Sequence, residues 1–186
     1  MKSIIRIVFI SFCFLSCKTS ELEKEFSCSS EAFNGTTEKV NDVKNKFSIH
    51  LPKHWKTNLF YDETQSSIYT ADTIKQLTET VLIDVTHIQS SHPFDAYFKK
   101  QLTLNDSIQL LTNDHQKQFQ YKNKTAYYSI SSGRKGNFPY QILNLFVNQN
   151  ENSSFHFKTE IYGDFERNKR FCKALNTFNS ISFNEP

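Results

Sequence analysis

Six histidines and four cysteines are the residues of this 186-residue chain best suited to chemistry. His50 and His54 have the spacing that, on a helix, sets two imidazoles on one face and lets them share a metal ion. Pro52 lies between them and ends an extended segment, so the helical geometry is lost, and only His87 or His92 could complete a set. No metal site is assigned. A Gly-x-Ser-x-Gly nucleophile elbow is also missing. Ser131-Ser132-Gly133 follows a strand, but Arg134-Lys135-Gly136 continues it as a loop and not as a helix. Cys172 falls in a helix, where a catalytic thiol would need unusual exposure. Four glycines leave little room for a Walker-type phosphate loop. The carboxylates are scattered, with no pair set up for acid/base work. The sequence therefore assigns no catalytic residue, no metal and no cofactor.

Two features suit binding better. Arg134 and Lys135 lie in a strand connection followed by Phe138-Pro139-Tyr140. A basic loop beside aromatic rings can grip a carbohydrate, a partner protein or lipid headgroups, and it is equally a solvated hairpin. Trp55, the only tryptophan, is either a ligand platform or core packing beneath the first strand connection. Trp55, Arg134, Lys135 and Tyr140 are thus the candidate binding surface.

The cysteines carry information about place. Lys2 and Arg6 form a charged n-region, and residues 7–15 form an apolar run too short to span a bilayer as a helix. Phe14-Leu15-Ser16-Cys17 resembles a bacterial lipobox, with Leu15 one position nearer the cysteine than is usual. The resemblance implies cleavage before Cys17, a diacylglyceryl thioether on its sulfur and acylation of the new amino terminus. The alternative is an ordinary cleaved secretory signal. Cys13 leaves with the signal, so Cys28 and Cys172 remain, in a compartment that permits disulfides. They are either bridged or two unrelated thiols.

Bulk charge excludes one class of function. The formal charge is +3, but Lys2 and Arg6 are lost with the signal, which leaves the remainder near neutral. A nucleic-acid footprint needs clustered positive charge, so no nucleic-acid partner is expected. Eighteen Phe and eight Tyr can fill a core.

Residues 17–45 read as a lipidated, polar tether with a short helix near Glu21–Phe26. Glu21, Glu23 and Glu25 resemble the acidic surface-export signals of some Bacteroidetes lipoproteins, or are simply solvated. Strands are expected at Phe47–Pro52, Thr57–Tyr61, Ser67–Ala71, Val81–Ile88, Ile108–Thr112, His115–Tyr121, Lys124–Ser132, Pro139–Asn148 and Phe155–Tyr162. A helix capped by Ser91 or His92 carries the apolar stripe Phe94, Tyr97, Phe98 and Leu102. A second helix, Phe165–Phe178, takes Asp164 as its cap, and Ile181–Phe183 closes the sheet. Strands joined by short turns point to an α+β fold, an antiparallel sheet flanked by helices.

The opening Phe47-Ser48-Ile49-His50-Leu51-Pro52-Lys53-His54-Trp55 resembles the start of PsbP-like and Mog1-like domains. Leu175 to Phe183 resembles their closing helix and strand. The resemblance implies an α/β/α sandwich over residues 46–186, after a signal peptide at 1–16 and a tether at 17–45. It also implies a binding or assembly role without catalysis. The expectation is an envelope lipoprotein, held at the outer membrane on its periplasmic or surface face, whose domain binds or stabilises another envelope component. The alternative is an envelope hydrolase or other enzyme on the same scaffold.

Overall fold

The computed structural model describes residues 20–28 and 36–184. The signal segment and Cys17 lie outside the described residues.

Seven antiparallel strands form the main sheet. Their order is β3 (Lys56–Tyr61), β4 (Gln65–Ala71), β5 (Leu82–Ile88), β9 (Ser153–Tyr162), β8 (Phe138–Asn150), β7 (Lys124–Lys135) and β6 (Thr112–Tyr121). The chain leaves β5 in mid-sheet and crosses one face as α2 (Ala96–Ile108). It re-enters at the far edge as β6, then returns through three hairpins until β9 pairs with β5. A second sheet joins β1 (Thr37–Asn41), β2 (Phe47–Pro52) and β10 (Ser182–Phe183), with β2 central. Together with α1 (Glu21–Phe26) and α3 (Arg167–Asn179), it covers the other face.

Period-two patterning builds this core. Ile83 and Val85 of β5, Leu143, Leu145 and Val147 of β8, and Phe155 and Phe157 of β9 share the inner face. They meet Leu22 of α1, Phe47, Ile49 and Leu51 of β2, and Ala174, Leu175 and Phe178 of α3. On the opposite face, Phe94, Phe98 and Leu102 sit on Tyr127 and Phe146. Helices on both faces of an antiparallel sheet give the expected α+β architecture.

Three local expectations need correction. Ser91 and His92 do not cap α2; the Asp95 side chain accepts the Phe98 N–H at 2.8 Å. Ser91 donates instead to the Glu151 carbonyl, and the His92 N–H to Asn148 Oδ1, so both are committed to the end of the β8–β9 hairpin. No strand spans 108–112: Ile108 ends the helix, and Leu110 turns the chain with φ 57° before β6. In α3 the cap position is Glu166, at φ 45° with no side-chain cap bond, while Asp164 pairs with Arg167 at 3.4 Å.

The stretch expected as a tether, residues 17–45, is built into the domain over much of its length. β1 pairs with β2 across five positions. The α1 helix carries a Ser20–Glu23 capping box, and Leu22 is fully buried. Leu22, Phe26, the Cys28–Cys172 disulfide and the pairing of β1 with β2 dock it, so a long apolar run is not needed.

The main sheet has two ends that matter below. The lower end carries the turns at 121–124 and 150–153, and the upper end those at 135–138 and 162–167.

Candidate functional site

All four residues of the expected binding surface lie at the upper end, but not in one patch. Trp55 packs on the inner side, where it is buried, with the Lys173 ammonium 4.8 Å from the ring centroid. A small cavity of about 120 Å³ beside it is lined by Asp72, Lys75, Glu79, Arg170 and Lys173 among others. Arg170 is itself buried and donates to the carbonyls of Thr80, Tyr162 and Gly163. It ties α3 to the loop after β4, so Trp55 and its surroundings serve packing.

Arg134, Lys135 and Tyr140 lie across the sheet in the β7–β8 hairpin. Gly136 takes φ +58° in the tight turn, and Arg134 donates to the Asn137 carbonyl at 2.6 Å. Lys135 and Tyr140 lie on the outer face, Tyr140 buried against Leu111, Ile142 and Tyr162, and there the alternation of β9 adds Lys158, Glu160 and Tyr162, and β5 adds Asp84. The Lys135 ammonium sits 4.0 Å from the Tyr140 ring centroid and 3.7 Å from Glu160. Lys158 bridges Glu160 at 3.1 Å and Asp84 at 3.9 Å. The Tyr162 hydroxyl donates to Glu160 at 3.3 Å, and the Tyr140 and Tyr162 rings lie 4.9 Å apart.

The charges in this cluster are unequal. Burial pushes the Glu160 carboxyl up, but the Lys158 and Lys135 ammonium groups outweigh it and hold Glu160 below the usual carboxylate range. Asp84 moves the other way: burial raises it, and Lys158 and Thr86 only partly offset this. Burial and the Glu160 charge raise Tyr140, and they push Tyr162 up to about 12. At neutral pH the cluster is a half-buried mosaic of fixed charges and protonated tyrosines.

Asp84, Lys158, Glu160 and Tyr162 were not singled out by the sequence. The alternation in Phe155-His156-Phe157-Lys158-Thr159-Glu160-Ile161-Tyr162 does mark an outer face mixing charge and aromatics. Their convergence with Lys135 and Tyr140 depends on the register of β9 with β8 and β5.

The histidines do not assemble. His50 is exposed on β2, and His54 lies 3.5 Å from Asp72. His92 packs among Phe94, Phe98 and Phe146. His87 lies at the lower end in a 450 Å³ cleft with Lys46, Gln149, Ser153 and Asn184. Among the described residues, no group of three or more His, Cys, Asp or Glu side chains could hold a metal ion.

The N-terminal acidic residues have structural partners. Glu23 completes the helix cap, Glu21 accepts the Lys122 N–H, and Glu25 accepts from Lys117 and Tyr128. Cys28 and Cys172 are joined in a disulfide with Cα atoms 5.5 Å apart, fixing α1 to α3. Among the described residues no helix is long and apolar enough to cross a membrane.

No family model matches the sequence, and no curated protein matches it. Solved structures do match in fold. The Ran-binding protein Mog1p of Saccharomyces cerevisiae superposes with a TM-score of 0.54 at 9% identity, covering 80% of this chain and 96% of that one. PsbP (CyanoP) of Synechocystis gives a TM-score of 0.55 at 10% identity, covering 84% and 98%. At such identity the likeness is one of fold: the domain has the Mog1/PsbP-like architecture.

Proposed function

We propose that this chain is a non-catalytic envelope lipoprotein, anchored through Cys17, whose Mog1/PsbP-like domain binds a protein partner through the outer face at its upper end. The observation that carries this reading is the Lys135–Tyr140–Glu160–Lys158–Asp84 cluster. Fixed charges on a rigid sheet face supply specificity with little ordering cost, and the buried Tyr140 ring holds the Lys135 ammonium in place from beneath. The cluster lies on an open face, apart from the cleft at His87 and the cavity beside Trp55. A fold shared with a protein named for binding Ran supports a binding role without naming the partner here. The lipobox-like Phe14-Leu15-Ser16-Cys17 supports the anchor and the envelope location.

The test is crosslinking and pull-down from intact envelopes with the native chain and a Lys135→Glu/Lys158→Glu variant. A specific partner held by the native chain and lost by the folded variant supports the reading; equal recovery by both sinks it. Cys17→Ser should move the protein from the membrane to the soluble fraction.

One observation favours an enzymatic reading as well. Asp84 and Glu160 both contact Lys158, yet their pKa values are displaced in opposite directions, the arrangement that can separate a general acid from a general base. Hydrolysis of an envelope-derived substrate that is abolished by both Asp84→Asn and Glu160→Gln would establish it.

A further inference from the structure

We infer that the lower end of the domain rests on the lipid headgroups, so that the Lys135–Tyr140–Glu160 surface points away from the membrane. This deepens the proposed function and rests on lipidation at Cys17.

The argument is one of chain length. From Cys17 to Ser20 the backbone can span at most about 11 Å. Ser20 is fixed where that span ends. Its side chain caps α1 and accepts a hydrogen bond from Asn179 Nδ2 at 2.7 Å. The helix it begins is held by fully buried Leu22, by the Glu21 contact to the Lys122 N–H, and by the Cys28–Cys172 disulfide. The anchor therefore lacks the slack of a long tether.

Everything around Ser20 belongs to the lower end. Lys122, in the β6–β7 turn, donates to the carbonyls of Asn179 and Ile181 at the end of α3. Lys122 and Lys124 lie over the Phe183 ring, and Asn184 bonds to the Lys46 carbonyl at the rim of the His87 cleft. An acyl chain inserted from Cys17 brings this rim to the headgroups.

The opposite end is far away. β7 runs from Lys124 at the lower end to Lys135 at the upper end, about 35 Å for an extended strand. The α1 helix runs in the same direction, since Glu21 meets the lower turn while Glu25 meets Lys117 and Tyr128 further along. The candidate partner surface then stands a strand length above the bilayer.

The test uses the full lipidated chain in phosphatidylethanolamine/phosphatidylglycerol vesicles. A fluorophore is placed on Asn123→Cys in the lower turn or on Asn137→Cys in the upper one. With headgroup-nitroxide lipids, quenching should be several-fold greater at position 123 than at 137. Inserting ten Gly/Ser residues between Thr19 and Ser20 should reduce that difference. Equal quenching, or stronger quenching at position 137, in protein that floats with the vesicles overturns the orientation alone. If intact-mass measurement finds no acyl chains and the protein does not float, the lipoprotein reading falls and the orientation with it.

Discussion

The Ser131 hydroxyl donates to the buried Asp106 carboxylate at 2.6 Å, joining the last turn of α2 to β7. Ser131→Ala removes that donor and leaves a buried carboxylate short of a partner, a loss of about 1–3 kcal/mol. Asp106→Asn keeps an acceptor and should cost less. Urea unfolding of the two variants checks the order, and a Ser131→Ala protein as stable as the native one contradicts it.

Gly133 of β7 lies against the connection from α2 to β6. A Cβ there would lie 2.8 Å from the Leu110 carbonyl oxygen and 2.8 Å from Leu111 Cδ2. Gly133→Ala should therefore cost about 1–3 kcal/mol through overpacking. Gly136→Ala meets open space but sits at φ +58°, so its cost comes only from the left-handed backbone, about 1–2 kcal/mol. Thermal melts should show the first destabilised with loosened α2 contacts, and the second destabilised without them.

The Cys28–Cys172 bridge spans 144 residues of sequence. Reduction, or Cys28→Ser with Cys172→Ser, should lower stability by about 2–5 kcal/mol. Melts with and without reductant measure this. An unchanged melting temperature, or two free thiols by mass spectrometry under non-reducing conditions, rules the bridge out.

Acid should destabilise the domain through histidine. Burial, with the nearby Lys158 and His92 charges, lowers His156 from its ordinary 6.5 to about 3. Burial also lowers His87 and His92. Below pH 6.5 the unfolded chain takes up protons that the folded chain refuses, so stability falls as pH falls from 6.5 towards 3. The Glu160 contribution has the same slope but acts lower, being present above 4.5 and lost beneath it. Unfolding free energy should drop by at least about 1 kcal/mol between pH 7 and pH 5. His156→Gln should flatten the profile; an unchanged slope in that variant counts against the assignment.

Trp55 and Lys135 should separate stability from binding. Trp55→Ala empties a buried site and should cost about 3–5 kcal/mol. Lys135→Ala breaks a half-exposed ion pair worth about 1 kcal/mol or less, while weakening partner capture. A Trp55→Phe variant that stays folded and keeps full partner capture would place Trp55 in the scaffold and outside the binding surface.

Patterns confined to one segment were legible in the sequence. The inward residues of β5 and the strands β7, β8 and β9 follow from alternation; the short helix at Glu21–Phe26 was expected, but not its Ser20 cap or the burial of Leu22. What could not be read depended on distant partners. The start of α2 moved because Ser91 and His92 bond to the β8–β9 hairpin. β1 is polar and exposed along most of its length, and only pairing with β2 makes it a strand. Trp55 and Tyr140 were grouped by residue type, but the sheet sets them on opposite faces. Glu160 gained importance only when strand pairing placed Lys135 and Lys158 beside it.

The small sheet has a consequence for the order of folding. Its central strand, β2, is flanked by β1 from near the start of the described chain and by β10 from its last residues. Cys28 likewise waits for Cys172, and Tyr121 for the carbonyl of Phe178. During synthesis the β2 edge and the apolar floor beneath α3 stay open until α3 and β10 emerge. The inner face therefore closes late, so a chain stalled before α3 leaves Phe47, Phe155 and Phe157 without their cover.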